Sequence, residues 1–527
     1  MQKKVPDTIL EKTHSIFVII FAGITFLIVI YPTRYFFGFS NLNGLDIFQQ
    51  PFLFTILYGT WVGVYVILST KSSYSAGSRL AIIISIVSAI LVYKVSPLGF
   101  DHNYGITFFL SSYLGSEHHI PTPIPPQYSY FSYPGLIIVT ESLKSVASVS
   151  YVGAGLDLSL VFFSLIGFSI FVITYRLCHE VTLAMVAVPL YFTASYEAIS
   201  NILLFPATLG VTLLALTFLL LVKRKFPRQI ILLLVLFAGM IITHFYDPVD
   251  IFFVFITVYL FQNILHTKLF DSRIISASIL LLLADLSWQA IAAPIYFNGI
   301  VLAIISSLSH ASLSYASVIV RSNTLGVPFW VTLIRYYDIL VTSIAGILLA
   351  VWTLVKRGKR ESDVTLYSVI TMAIVMFGLA AAFASLFQGG FDFLVGIQFV
   401  VFFSLPVFLY YLKRFGRLKI LVILSIIMLS GPSLLTLQFK NVSSYSVYPS
   451  ELSIGGYFTQ YTPSATASVS TDGKTFGIIA TSDPFAIPQF YSIPISTIPY
   501  VPGSFSVIDQ TYSSYQEHLY GTSFNLS

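Results

Sequence analysis

A chain of 527 residues that is 56% hydrophobic and only 9% charged, with a mean hydropathy of +0.86, has too little polar surface to cover a water-soluble globule. Its formal net charge of +5 does not point to a nucleic-acid partner, because the Lys and Arg gather in the loops on one side of the apolar segments. The single cysteine, Cys178, excludes an internal disulfide framework and a Cys-based zinc site.

These features predict an all-α polytopic membrane protein. Crossing about 30 Å of hydrocarbon takes about 20 apolar residues. Such runs lie near 16–31, 51–69, 80–96, 155–177, 181–199, 203–222, 229–244, 248–265, 274–294, 332–355, 364–387, 394–412 and 419–437, about 13 spans in all. The first follows a basic N-terminal stretch but precedes no small-residue cleavage site, so it reads as a spanning helix rather than a leader. Only seven of the 27 basic residues, Arg34, Lys94, Lys144, Arg321, Arg335, Lys440 and Lys474, fall on the side opposite the N-terminus. Cytoplasmic loops collect Lys and Arg, which predicts a cell-membrane protein with a cytoplasmic N-terminus and an extracytoplasmic C-terminus.

Residues 1–437 are then a transmembrane domain with external loops at 97–154 and 295–331. Beyond 437 the composition shifts to Ser, Thr, Tyr and Pro with short alternating runs such as 476–481. Residues 438–527 therefore read as a small external β-containing domain. Asn441-Val-Ser and Asn525-Leu-Ser fit the N-glycosylation acceptor pattern expected of an external segment.

The first external loop concentrates chemistry. Asp101, His102, Glu117, His118 and His119 sit in a protein that otherwise avoids charge, and ionisable groups beside a span mark a candidate site. Ile106 to Leu114 suits a short interfacial helix, Pro121 to Pro126 an extended link, and Tyr133-Pro134-Gly135 the start of a second interfacial segment reaching Val149 and carrying Glu141 and Lys144. Asp101 reads either as a catalytic base or as the cap of the helix that follows. Glu117, His118 and His119 read as divalent-metal ligands or as a solvated turn before a proline.

Three further groups stand apart from that loop. His244 with Asp247 and Asp250 is a polar group at an outer mouth, or else a satisfied histidine at the helix break before Pro248. Asp285, in the middle of the ninth span, is a buried acid without a basic neighbour in sequence. Arg321 and Arg335 are the external cations best suited to a phosphate, or else snorkelling interfacial side chains.

A span ending in Asp101-His102, an amphipathic helix, a polar turn, then Tyr133-Pro134-Gly135 and another helix resembles the first large external loop of GT-C fold membrane glycosyltransferases, in their archaeal, dolichyl-phosphate-sugar-dependent branch. Phe205-Pro206-Ala207-Thr208, Thr243-His244-Phe245 and Thr481-Ser482-Asp483 follow in the family's order. The resemblance implies a GT-C-like membrane domain that moves a sugar from a polyprenyl- or dolichyl-phosphate donor to a glycan, lipid or protein acceptor on the outer face. It implies Asp101 as base, with His102, His244, Arg321 and Arg335 around the donor phosphate. No WWD-like or Asp-X-Asp motif occurs, and the turn Gln388 to Phe393 is followed by apolar residues, so transfer of a single sugar fits better than transfer of a whole oligosaccharide. A transporter or flippase for a lipid-linked or small solute, and a non-catalytic envelope anchor, are the competing readings.

Overall fold

The computed structural model describes residues 102–122, 130–149, 151–194, 206–221, 226–244, 247–266, 272–294, 340–357, 363–388, 393–415 and three short strands between 469 and 507, with a few isolated positions besides. The first helix, α1 (His102–Glu117), and the second, α2 (Gly135–Ala147), lie within the loop 97–154. Then come α3 (Tyr151–Cys178), α4 (Val181–Ala194), α5 (Pro206–Leu221), α6 (Phe226–Ile241), α7 (Asp247–Leu265), α8 (Ser272–Ile291), α9 (Ala345–Arg357), α10 (Asp363–Gln388) and α11 (Phe393–Leu412). A π-helical turn at Leu340–Ile344 leads into α9.

Every apolar run predicted between 155 and 412 is helical over its described part. Among the described residues, three stretches are long and apolar enough to cross a membrane: Asp157–Cys178, Asp247–Leu265 and Arg273–Ile291. Val181–Phe192, Thr208–Leu220, Ile231–Ile241, Val341–Lys356 and Asp363–Met376 are apolar but shorter. The predicted spans at 16–31, 51–69, 80–96 and 419–437 lie outside the described residues, apart from the single helical positions Ile83 and Val422.

Helix boundaries follow local chemistry. Pro206 opens α5 at the first position, where its missing N–H costs nothing. Asp247 and Asp250 lie in the first turn of α7, at the positive end of its dipole. Helix α3 ends where His179 turns left-handed (φ 51°), its N–H bonded to the Tyr175 carbonyl at 2.7 Å. Lys413 Nζ donates to the Cys178 carbonyl at 2.7 Å, placing a cation on the negative end of that helix.

Helices α9, α10 and α11 run up, down and up against one another, and α11 also packs on α3 and α4. Where α9 meets α11, Gly346 lies so close to the Ser404 carbonyl that no Cβ fits between them. Close approach at small residues is how helices gain contact where lipid tails remove the hydrophobic incentive. Edge-to-face rings carry the core from helix to helix: Phe163 on α3 meets Phe192 on α4, neighbouring Tyr191 meets Phe402 on α11, and Phe403 meets Phe218 on α5, which in turn meets Phe255 on α7.

In the C-terminal region, β1 (Val469–Thr471) pairs in parallel with β2 (Phe490–Ser492) on one side and β3 (Phe505–Val507) on the other, Ser470 standing opposite Tyr491 and Ser506. The run at 476–481 and the remainder of the tail, Thr481-Ser482-Asp483 included, lie outside the described residues.

Candidate functional site

The turn between α6 and α7 builds the site. Helix α6 closes with the N–H groups of Thr243 and His244 both bonded to the Met240 carbonyl at 3.0 Å, and Thr243 Oγ1 donates back to the Gly239 carbonyl at 2.6 Å. His244 is thereby held in the break, with Nδ1 3.2 Å from Asp247 Oδ2. Asp247 is 1% exposed, and its carboxylate packs directly on Gly210 of α5, where any Cβ would overlap it. A glycine one turn into α5 therefore makes the room that this carboxylate occupies.

Two more acids join from neighbouring turns. Asp250 is half-buried, its Oδ1 is enclosed without a hydrogen-bond partner among the described residues, and it feels the charge of Asp247. Asp285 on α8 is fully buried and accepts a hydrogen bond from Gln289 Nε2 at 2.7 Å. It is near enough to Asp247 and His244 to interact with both through their charges. The sequence places Asp285 mid-span; in the structure it lies six residues from the C-terminal end of α8, level with the start of α7. Buried carboxylates persist only where they are paired, hydrogen-bonded or protonated. His244 and Gln289 are the partners that the described residues supply.

The loop that carries α1 and α2 docks on this cluster. The Gly135 N–H donates to the Ile242 carbonyl at 2.8 Å, and Gly135 itself lies against the Thr243 hydroxyl. Trp288 Nε1, one helical turn from Asp285, donates to the Ser132 carbonyl at 3.0 Å. Tyr133-Pro134-Gly135 and Thr243-His244-Phe245, more than a hundred positions apart in sequence, are thus joined. Helices α1 and α2 run parallel, since Ser111 Oγ meets the Ile137 carbonyl at 3.4 Å and Gly115 meets the Glu141 carboxylate one turn later. Running backwards along the pair from Glu141 to Ile137 to Gly135 approaches the Ile242 contact. The backbone of His102, nine residues before Ser111 and so about 13 Å along the axis, therefore extends towards that end of the pair. Asp101 lies outside the described residues, as do Arg321 and Arg335.

Glu117, His118 and His119 form the turn that ends α1. All three are exposed; His118 adopts φ 56° with its N–H on the Leu114 carbonyl at 2.9 Å, and His119 Nδ1 lies 2.8 Å from the Glu117 carbonyl oxygen. This is a left-handed C-cap that satisfies the last carbonyls of α1. Among the described residues no group of three or more His, Cys, Asp and Glu is arranged to hold a metal ion, so no step below runs through one. Ile106 to Leu114, expected at the interface, is part of a 16-residue helix whose Phe108 and Leu110 are buried in protein.

Sequence reasoning missed a second polar cluster. Glu141 accepts hydrogen bonds from Ser145 Oγ and Tyr151 OH, both at 2.7 Å, while Lys144 Nζ lies 3.7 Å from its Oε1 and 5.0 Å above the Tyr151 ring. Burial, and then the hydrogen bond to Glu141, push the pKa of the Tyr151 hydroxyl up. The cluster ties the end of α2 to the start of α3. The (i, i+3) and (i, i+4) spacing of Glu141, Lys144 and Ser145 was the available signal for all but Tyr151.

The sequence matches no family model and no curated protein. Among solved structures the chain is similar to the crystal structure of an Archaeoglobus fulgidus oligosaccharyltransferase in complex with Zn and sulfate, at 15% identity and a TM-score of 0.47, over 84% of this chain and 61% of that one. It is also similar to the archaeal oligosaccharyltransferase AglB from Archaeoglobus fulgidus in complex with an inhibitory peptide and a dolichol-phosphate, at 13% identity and a TM-score of 0.45, over 84% of this chain and 63% of that one. The chain spans about three fifths of the length of these two structures.

Proposed function

We propose that this protein is a membrane glycosyltransferase that moves a sugar from a polyprenyl- or dolichyl-phosphate donor to an acceptor at the outer face. One observation carries the reading. Short motifs that individually mean little, Tyr133-Pro134-Gly135, the start of α5 at Pro206, and Thr243-His244, meet at one end of the bundle around a buried His244–Asp247 pair. A transferase needs such a junction, because donor and acceptor approach from lipid and from water and must be held in register for the transfer to compete with hydrolysis.

In this reading Asp101 takes the acceptor's proton as the sugar C1 loses its phosphate and becomes oxocarbenium-like. His244 becomes cationic when it gains a proton, and Asp247 compensates that charge, so the pair faces the departing phosphate without leaving a buried charge unpaired. His102, Arg321 and Arg335 complete the proposed phosphate environment.

The test is Asp101→Asn in membranes supplied with a polyprenyl-phosphate sugar. Loss of a general base lowers transfer by roughly 10²–10⁴-fold. Asn caps a helix about as well as Asp, so a capping role leaves both transfer and thermal stability intact. Full transfer activity in the variant removes the catalytic assignment and shifts the weight to transport.

A further inference from the structure

At the opposite end of the bundle, the C-termini of α3, α9 and α11 come together, and we propose that this surface binds the headgroups of anionic phospholipids in the leaflet it meets. Two hydrogen bonds set the three ends at one level: Thr353 Oγ1 to Tyr411 OH at 2.7 Å joins α9 to α11, and Lys413 Nζ to the Cys178 carbonyl at 2.7 Å joins α11 to α3. Each end brings cations, with Arg176 in the last turn of α3, Lys356 in that of α9, and Lys413 and Arg414 just past α11. Among the described residues the acids near these ends are Glu180 and Asp363, fewer than the four cations.

The cations are displayed on aromatic platforms. The Arg414 guanidinium lies 5.3 Å above the Tyr410 ring and 5.1 Å from that of Tyr411, and its Nη2 donates to Tyr410 OH at 3.2 Å. Lys356 Nζ lies 5.2 Å from the centroid of the Trp352 ring. Trp352 is 55% exposed and Phe415 57%, so both present apolar surface beside a cation. Amphipathic rings at headgroup depth next to fixed positive charge match the two halves of an anionic lipid, acyl chain and phosphate. A planar guanidinium already oriented by two rings loses little freedom on meeting a phosphate. Helix dipoles and basic loops by themselves call for cations here, but not for their stacking on aromatic rings.

The experiment uses the full chain in phosphatidylcholine nanodiscs, titrated with brominated phosphatidylglycerol or brominated phosphatidylcholine, and reads quenching of Trp352 as the signal lost in Trp352→Phe. Each surface cation favours an anionic lipid by about fivefold. The expected result is that the glycerol lipid quenches several-fold more effectively, and that Lys356→Gln with Arg414→Gln removes most of the preference, leaving the share of Arg176 and Lys413, while circular dichroism stays unchanged. Arg414→Lys keeps the charge and guards against loss of fold; it retains most of the preference. Equal quenching by the two lipids in the unmodified protein, or a preference undiminished in the double variant, overturns the proposal.

Discussion

Gly135→Ala probes the joint between the external loop and the α6–α7 turn. A methyl group at Gly135 would overlap the Thr243 hydroxyl and come within 3.1 Å of the Ile242 carbonyl oxygen and 3.2 Å of Thr243 Cα. The hydroxyl cannot swing aside freely, because it is bonded to the Gly239 carbonyl, and the carbonyl cannot retreat without stretching the bond it accepts from the Gly135 N–H. Overpacking costs about 1–3 kcal/mol and an interrupted buried hydrogen bond about 1–3 kcal/mol. The better helix propensity of alanine returns about 1 kcal/mol, which leaves a net loss of about 1–5 kcal/mol. Thermal unfolding in detergent and the emission of Trp288, whose indole bonds to Ser132 in the same loop, report the change. Thr243→Ala removes the atom in closest conflict, so the double variant recovers part of the loss, with a coupling of about 0.5–3 kcal/mol. A Gly135→Ala protein that melts and fluoresces like the parent, or effects that simply add, would refute the contact.

Gln289→Leu removes the donor to Asp285 Oδ2 and leaves a buried carboxylate short of a hydrogen bond, so stability falls by about 1–3 kcal/mol in thermal unfolding, whereas Gln289→Leu with Asp285→Leu restores most of it. Tyr151→Phe loses the hydrogen bond to Glu141 and about 1 kcal/mol. Because burial and Glu141 raise the Tyr151 pKa, the group's stabilising share is complete below the ordinary tyrosine value of about 10 and drains away at higher pH. Ultraviolet titration therefore finds a late-ionising tyrosine that Glu141→Gln brings earlier and Tyr151→Phe removes. For topology, cysteines placed at Ser72 and Ser470 label from inside and outside respectively, and labelling of Ser72 from outside would reverse the charge-based map.

Hydropathy alone determined the class of this protein and the positions of its helices. Each run predicted between 155 and 412 is helical because an apolar segment of that length has one low-energy way to satisfy its backbone, and that requirement is local. The start of α2 after Tyr133-Pro134 and the break before Pro248 were equally legible, since proline acts on its immediate neighbours. His244 and Asp247 were recognisable as a pair because one turn separates them.

Only the tertiary structure decided what surrounds that pair. Asp285 comes to His244 and Asp247 from forty positions away because α7 and α8 fold back on each other, and Gly210 matters because a carboxylate from another helix occupies the space of its missing side chain. The left-handed φ of His118, by which the turn of Glu117, His118 and His119 ends α1, is likewise a matter of backbone geometry. Residue type states which chemistry a side chain can perform. Which partners it meets depends on how several helices pack, and that packing is set by side-chain shapes spread along the whole chain.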